Sequence, residues 1–113
     1  MNANFDAGVV GQAAVVSCQG RVDAANAPLL EAYCRKQLTD LGRKSLVIDL
    51  RTADYMASAG LRSVLILGKH VKALGGRLAI CGLHGAVRET FAISGFLELF
   101  PVAETPEQAV DLL

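Results

Sequence analysis

Apolar positions along this chain recur with two alternating rhythms. Ala13–Ser17 (AAVVS) is short and β-branched, which predicts a strand, with Phe5–Val10 as its hairpin partner and Gly11-Gln12 near the turn. The rhythm then becomes helical. Leu29, Leu30, Tyr33, Cys34, Leu38 and Leu41 fall at helix spacing, with Pro28 in the first turn, Asn26 or Ala27 near the cap and Gly42 at the stop. Ser45–Leu50 (SLVIDL) is an apolar run between polar flanks, the pattern of a strand buried on both faces. A second helix is expected to open near Ser58. Its stripe is Leu61, Val64, Leu65, Gly68 and Val71, widened by Leu67 and Leu74, and Gly75-Gly76 ends it.

Arg77–Cys81 reads as the next strand. His84–Ile93 reads as a third amphipathic helix through Val87, Phe91 and Ala86, closed by Ser94-Gly95. A short strand is predicted near Leu99–Val102. A last helix follows with Thr105 as cap, Pro106 at its first position and Gln108 completing a capping box. The order ββαβαβαβα favours an α/β sheet with helices packed on it, joined by right-handed crossovers.

Composition narrows the class. The 113 residues suit one domain, and 52% hydrophobic against 19% charged residues exclude disorder. Eleven basic and eleven acidic side chains give zero net charge, which argues against a general nucleic-acid binder and against a polybasic membrane signal. The opening MNANFDAGVVGQ has neither the basic nor the apolar region of a signal peptide. No unbroken apolar run of the chain exceeds four residues, the length of Val64–Leu67, which is far too short to span a bilayer. Cys18, Cys34 and Cys81 are odd in number and form no CxxC, so they are expected as core thiols in a reducing cytosol. Cys81 and His84 have ligand-like spacing but do not complete a metal site.

No phosphate-cradling glycine loop, nucleophile elbow or zinc-protease motif occurs, so neither a cofactor nor a metal is expected and an enzyme is the less favoured class. The informative stretch is Ile48–Leu67, IDLRTADYMASAGLRSVLIL. A strand ends, a short loop carries Asp54 and Tyr55, and Ser58 opens a helix. Ligand and partner surfaces of open α/β sheets lie beyond the carboxyl ends of strands. By spacing alone, Ser58 reads more readily as a helix cap than as a regulatory hydroxyl.

The segment Tyr55-Met56-Ala57-Ser58-Ala59-Gly60-Leu61 resembles the signature of the STAS domain, best known from bacterial anti-sigma factor antagonists. Further matches follow in order: Gly20-Arg21-Val22-Asp23, Ile48-Asp49-Leu50, Gly75-Gly76-Arg77-Leu78 and Ile93-Ser94-Gly95-Phe96. The resemblance implies a single α/β domain over residues 1–113 with a mixed, mostly parallel sheet. It implies a cytoplasmic regulatory module that binds an anti-sigma factor doubling as serine kinase. Phosphorylation of Ser58 would then act as the switch and a phosphatase would reset it. The chain departs from the family pattern at Ala57, where Asp is usual, and at Ala59, where a second Ser or Thr is usual. Arg62 and Ser63 stand where small or apolar residues are common. A second reading stays open: an unphosphorylated STAS subunit of an ABC-type transport or lipid-trafficking complex.

Around Ser58 the expected partner-binding residues are Asp23, Asp54, Tyr55, Met56, Ala57, Ala59, Arg62, Ile66 and Lys69. Ile66 falls opposite the apolar stripe, among Arg62, Lys69, His70 and Ala73, and reads equally as an isolated exposed side chain or as part of a partner patch. Asp23 reads first as a turn cap before the first helix and second as a neighbour of Ser58.

Overall fold

The computed structural model describes residues 3–113; Met1 and Asn2, which open the segment read for a signal peptide, lie outside the described residues. Among the described residues, five strands and four helices follow the order expected: β1 (Asn4–Val10), β2 (Ala13–Val22), α1 (Ala27–Asp40), β3 (Ser45–Met56), α2 (Ser58–Ala73), β4 (Leu78–Cys81), α3 (Gly85–Ile93), β5 (Val102–Ala103) and α4 (Pro106–Asp111). The sheet runs β1-β2-β3-β4-β5. β1 pairs antiparallel with β2 through the tight turn at Gly11-Gln12, and the other pairs are parallel.

Period-2 alternation divides the core. Leu46, Ile48 and Leu50 of β3 face one side, where they meet Leu30, Cys34 and Leu38 of α1, Val64, Leu67 and Val71 of α2, and Val87 and Phe91 of α3. Val47 faces the other side with Val15, Ala79 and Cys81, covered by Ala109 of α4. Each fully buried Leu, Ile or Phe contributes about 1.5–3 kcal/mol of transfer free energy, so the helix-covered face supplies most of the driving force. Gly76 permits a close approach: a Cβ there would run into the Lys44 carbonyl at the start of β3. At α4, Thr105 Oγ1 accepts from Gln108 N at 3.2 Å, as expected, while Gln108 Oε1 accepts from Glu104 N at 3.3 Å.

Four expectations are corrected. β3 continues six residues beyond Leu50, and β2 continues to Val22. The continuation was hidden because the β2–β3 register shifts twice, between Ser17 and Gln19 and between Gly20 and Arg21. Each shift sets an extra β3 residue against β2, and such bulges break the two-residue rhythm. Second, Leu99–Val102 is not a strand. Phe96–Glu98 forms one 3₁₀ turn, and β5 is only Val102–Ala103. Pro101 offers no N–H to a ladder, and edge-to-face packing of Phe96 on Phe91 (centroids 5.9 Å apart) holds the preceding turn. Third, Leu29 is exposed, because the buried stripe of α1 is Ala27, Leu30, Cys34 and Leu38, one residue out of phase with it. Fourth, Leu74 is exposed at the C-terminal cap of α2.

Candidate functional site

β3 pairs with β4 only through Asp49, yet stays beside β2 to Met56. A two-stranded tongue therefore projects beyond the main sheet and delivers the chain into α2. Val22 pairs with Met56, and Ala57 N donates to Val22 O at 2.8 Å, which fixes the start of α2 against the end of β2. Asp54 and Tyr55 lie on this strand, not in a loop as expected. Asp54 is the unpaired bulge residue opposite the Gly20–Arg21 shift. Tyr55 pairs with Arg21, whose guanidinium carbon stands 4.3 Å from the centre of the Tyr55 ring. Arg21 was not among the expected site residues; its basic charge facing an aromatic one strand away became visible only with the register.

Ser58 is the first residue of α2, and the cap position belongs to Ala57, which has no side-chain acceptor to offer. The expectation that Ser58 caps the helix is thus corrected: no cap hydrogen bond is made there. The Ala57 carbonyl accepts from Gly60 N at 2.9 Å and Leu61 N at 3.2 Å, so the N–H groups of Ser58 and Ala59 precede the first intrahelical bonds. Ser58 is exposed, and the first turn carries no acidic residue.

Met56 is withdrawn from the partner-binding set. It is 1% exposed, because Gly60 lies directly on it and the next inward position of β3 points into the core. Asp23 closes the turn before α1. Its carboxylate accepts from Ala25 N and Asn26 N, each at 3.0 Å, as a turn cap, and the turn it closes adjoins the β2 end to which α2 is tied. Asn26, also unexpected as a positioning residue, is buried. It accepts from Asp23 N at 2.8 Å and donates to Arg21 O at 2.8 Å, locking the β2–α1 turn.

α1 and α2 flank a groove of about 210 Å³ beside Ser58, lined by Ala27, Pro28 and Glu31 on one wall and Ala59, Arg62 and Ile66 on the other. Ile66 is therefore half-buried in this groove and not an isolated surface side chain. Ser63, buried, donates to Ala27 O at 3.1 Å and holds the two helices together at its floor. Further along, Arg35 bridges them, with Nε 3.3 Å from Glu31 Oε2 and Nη1 2.9 Å from His70 Nδ1. Lys69 lies two turns beyond Arg62 and lines a different groove, against Leu99 and Phe100. The structure thus brings Asp23, Ala57, Ser58, Ala59 and Arg62 to the N-terminal end of α2, with Ile66 midway along it and Asp54 and Tyr55 on the adjoining tongue. Along its whole length α2 carries Arg62, Lys69, His70 and Lys72 and no Asp or Glu.

Away from this face, Asp49 is buried and held by Arg51, with Arg51 Nη2 2.9 Å from Oδ2 and Ser17 Oγ donating at 3.2 Å. Burial raises the Asp49 pKa; the side-chain and backbone hydrogen bonds of Arg51, its charge and the Ser17 hydroxyl outweigh burial and leave the carboxyl below its ordinary value. The three cysteines are buried and free. Burial, with the negative charge of Asp49 nearby, pushes the Cys18 and Cys81 thiols up to about 12. Among the described residues no helix is long and apolar enough to cross a membrane.

The chain matches the STAS domain over residues 4–109 and belongs to that family. It is 47% identical over 96 residues, 84% of this chain and 82% of the relative, to BtrV of Bordetella bronchiseptica, which is described as a candidate anti-sigma factor antagonist. A STAS-domain containing protein of Pseudomonas aeruginosa is 32% identical over 82% of this chain and 90% of its own length. The fold is that of the anti-sigma factor antagonist SpoIIAA in its unphosphorylated form: TM-score 0.80, 22% identity, covering 96% of this chain and 94% of that one. An anti-sigma factor antagonist from Mycobacterium paratuberculosis superposes with a TM-score of 0.81 at 23% identity, covering 98% and 93%.

Proposed function

We propose that this chain is an anti-sigma factor antagonist. Its docking face is the junction of β3 with α2, and its switch is phosphorylation of Ser58 by an anti-sigma factor that is also a serine kinase. The observation that carries the reading is the exposed Ser58 hydroxyl at the first position of a firmly seated helix, with no capping duty. The name of the Bordetella relative supports it. A kinase needs a hydroxyl it can reach, on backbone that does not have to unfold first, and the β2–α2 tie supplies that rigidity. The all-basic exposed charge of α2 suits an acidic partner surface and would speed encounter with it.

A phosphate adds about −1.5 to −2 charges at pH 7. At the first turn of a helix the free N–H groups and the dipole favour that charge, so the fold survives and the interface is what changes. The unphosphorylated form binds the anti-sigma factor and releases its sigma factor; the phosphorylated form lets go, and a phosphatase restores the first state. The reading places the chain in the cytosol, with ATP and the transcription machinery.

The test is incubation with the cognate kinase and ATP, mass spectrometry of the Ser58 peptide, and calorimetric titration of wild type and Ser58→Asp against the kinase. The expected result is one phosphate at Ser58 and binding weakened by about tenfold or more in Ser58→Asp. No phosphate, together with undiminished binding by Ser58→Asp, would overturn the switch. Recovery of the same surface bound to a transport ATPase would then favour the unphosphorylated reading.

A further inference from the structure

We propose that Arg62 receives the phosphate of phosphorylated Ser58 within the same chain, so that the switch withdraws a cation from the docking face as it adds an anion. The inference rests on Ser58 being the modified residue and adds how this particular chain handles the charge.

Ser58 and Arg62 stand four residues apart on α2, where Cβ atoms are about 5–6 Å from each other. Helical side chains lean toward the N-terminus, which carries the long Arg62 stem back over the first turn, toward Ser58. Both residues are exposed, so neither must leave a packed position to meet. A guanidinium offers two parallel N–H groups to a phosphate, a geometry that an ammonium does not reproduce.

Arg62 is also free for the role. Among the described residues it makes no ion pair. The acid that shares its groove is Glu31, whose carboxylate is taken by Arg35 at 3.3 Å, and Arg35 is steadied in turn by His70. Ala57 and Ala59 put methyl groups on either side of Ser58, so no neighbouring acid or hydroxyl in the first turn competes for the guanidinium or for the phosphate. Asp23 and Asp54 adjoin this end of the helix from the β2–α1 turn and the tongue. Their negative charge adds to that of a bare dianion, so a cation on the helix side supplements the free N–H groups of the first turn. With Ala57 as cap, the backbone itself brings only the N–H groups of Ser58 and Ala59.

The consequence is a two-part signal. The unphosphorylated face presents Arg62 to an acidic partner; the phosphorylated face presents an anion of reduced net charge and no free Arg62. Arg62→Ala is therefore expected to weaken binding of the unphosphorylated form as well as to loosen the phosphate.

The experiment uses the full chain with phosphoserine genetically encoded at position 58, in otherwise wild-type, Arg62→Ala and Arg62→Lys backgrounds. The second ionisation of the phosphate is followed by ³¹P NMR titration at low and high salt. The expected result is an ionisation about half a pH unit lower in the wild-type background than in Arg62→Ala, a partial shift in Arg62→Lys, and collapse of the difference at about 1 M salt. The Arg62 Nε–H resonance is expected to move downfield on phosphorylation of the wild type. Identical titrations in all three proteins with an unmoved Arg62 resonance would overturn the pairing. No kinase is needed, so failure of the kinase reaction would sink the switch and leave this pairing standing, and identical titrations would do the reverse.

Discussion

Gly60 lies against Met56: a Cβ at Gly60 would sit 2.7 Å from Met56 Cγ and 3.0 Å from Val22 Cγ1. The first turn of α2 is thereby clamped onto the end of β3 and the end of β2 together, and Ser58 two residues earlier inherits its position from that clamp. In Gly60→Ala the added methyl gains about 1 kcal/mol of helix propensity at most and costs about 1–3 kcal/mol of overpacking. Both displaced neighbours are buried, so the cost wins. The variant is expected to lose about 1–2 kcal/mol in urea unfolding, and its Ser58 amide resonance is expected to shift. Wild-type stability would show that the clamp is slack.

Gly68→Ala is expected to behave differently. Its Cβ would meet Phe100 Cε1 at 2.6 Å, but that atom is the far end of a half-buried ring beside a surface groove. The ring swings outward, and the propensity gain offsets the disturbance. Urea unfolding is expected to place this variant within about 0.5 kcal/mol of wild type. A loss comparable to that of Gly60→Ala would mean that Phe100 is as immobile as Met56.

Ser58→Asp puts a carboxylate into a first turn that has no acid. The dipole favours it by about 0.3–1 kcal/mol, while Asp23 and Asp54 oppose it. The melting temperature is expected to stay within about 5 °C of wild type. Any loss of partner binding by this variant then reports on the interface. A much lower melting temperature would instead attribute that loss to unfolding.

The Asp49 carboxyl is held below its ordinary value by Arg51 and Ser17 despite its burial. A folded pKa lower than the unfolded one means that the unfolded chain binds the proton more readily. The resulting stability is full above the unfolded value, near about pH 4, and drains away as pH falls through the folded value. Asp49→Asn is expected to cost about 1–2 kcal/mol at pH 7, at the low end for bonds to a charged group because Arg51 remains half in water. The gap between the urea midpoints of the two proteins, measured from about pH 7 down to about pH 2.5, is expected to narrow progressively as pH falls below about pH 4. A gap that stays undiminished there would mean the asparagine disrupts packing and not the ion pair.

Burial pushes the thiols of Cys18 and Cys81 up to about 12, and that of Cys34 well above its ordinary value. At pH 8 the thiolate fraction of a group at about 12 is about one in ten thousand, and no reagent reaches it in the folded chain. Reaction with an aromatic disulfide reagent is expected to be negligible for the native protein and to release three equivalents in urea. Rapid native labelling of any one cysteine would show that its part of the core opens locally.

Element order and the identity of the two apolar rhythms were open to reading in the chain, because burial on one face imposes a period of two on strands and near 3.6 on helices. The position of Ser58 beyond a buried strand was legible for the same reason, and the family motifs of the STAS domain, spread from Gly20 to Phe96, set the fold class. The tongue of β2 and β3 was not legible. Two bulges erase alternation after Leu50, and register is a relation between strands, not a property of either. By spacing the cap reads as Ser58, one residue from its true place at Ala57, and only the tie from Ala57 to Val22 decides where the helix begins. Met56 reads as a partner contact beside Tyr55 and is buried because Gly60 covers it. Ile66 reads equally as solitary or as part of a patch, and it lies in a groove because Ser63 draws α1 alongside. The sequence alone determined which elements form and which hydroxyl stands at the junction. Tertiary packing decided which neighbours that hydroxyl has, since side chains distant in the chain meet only when the helices and the sheet exclude water between them.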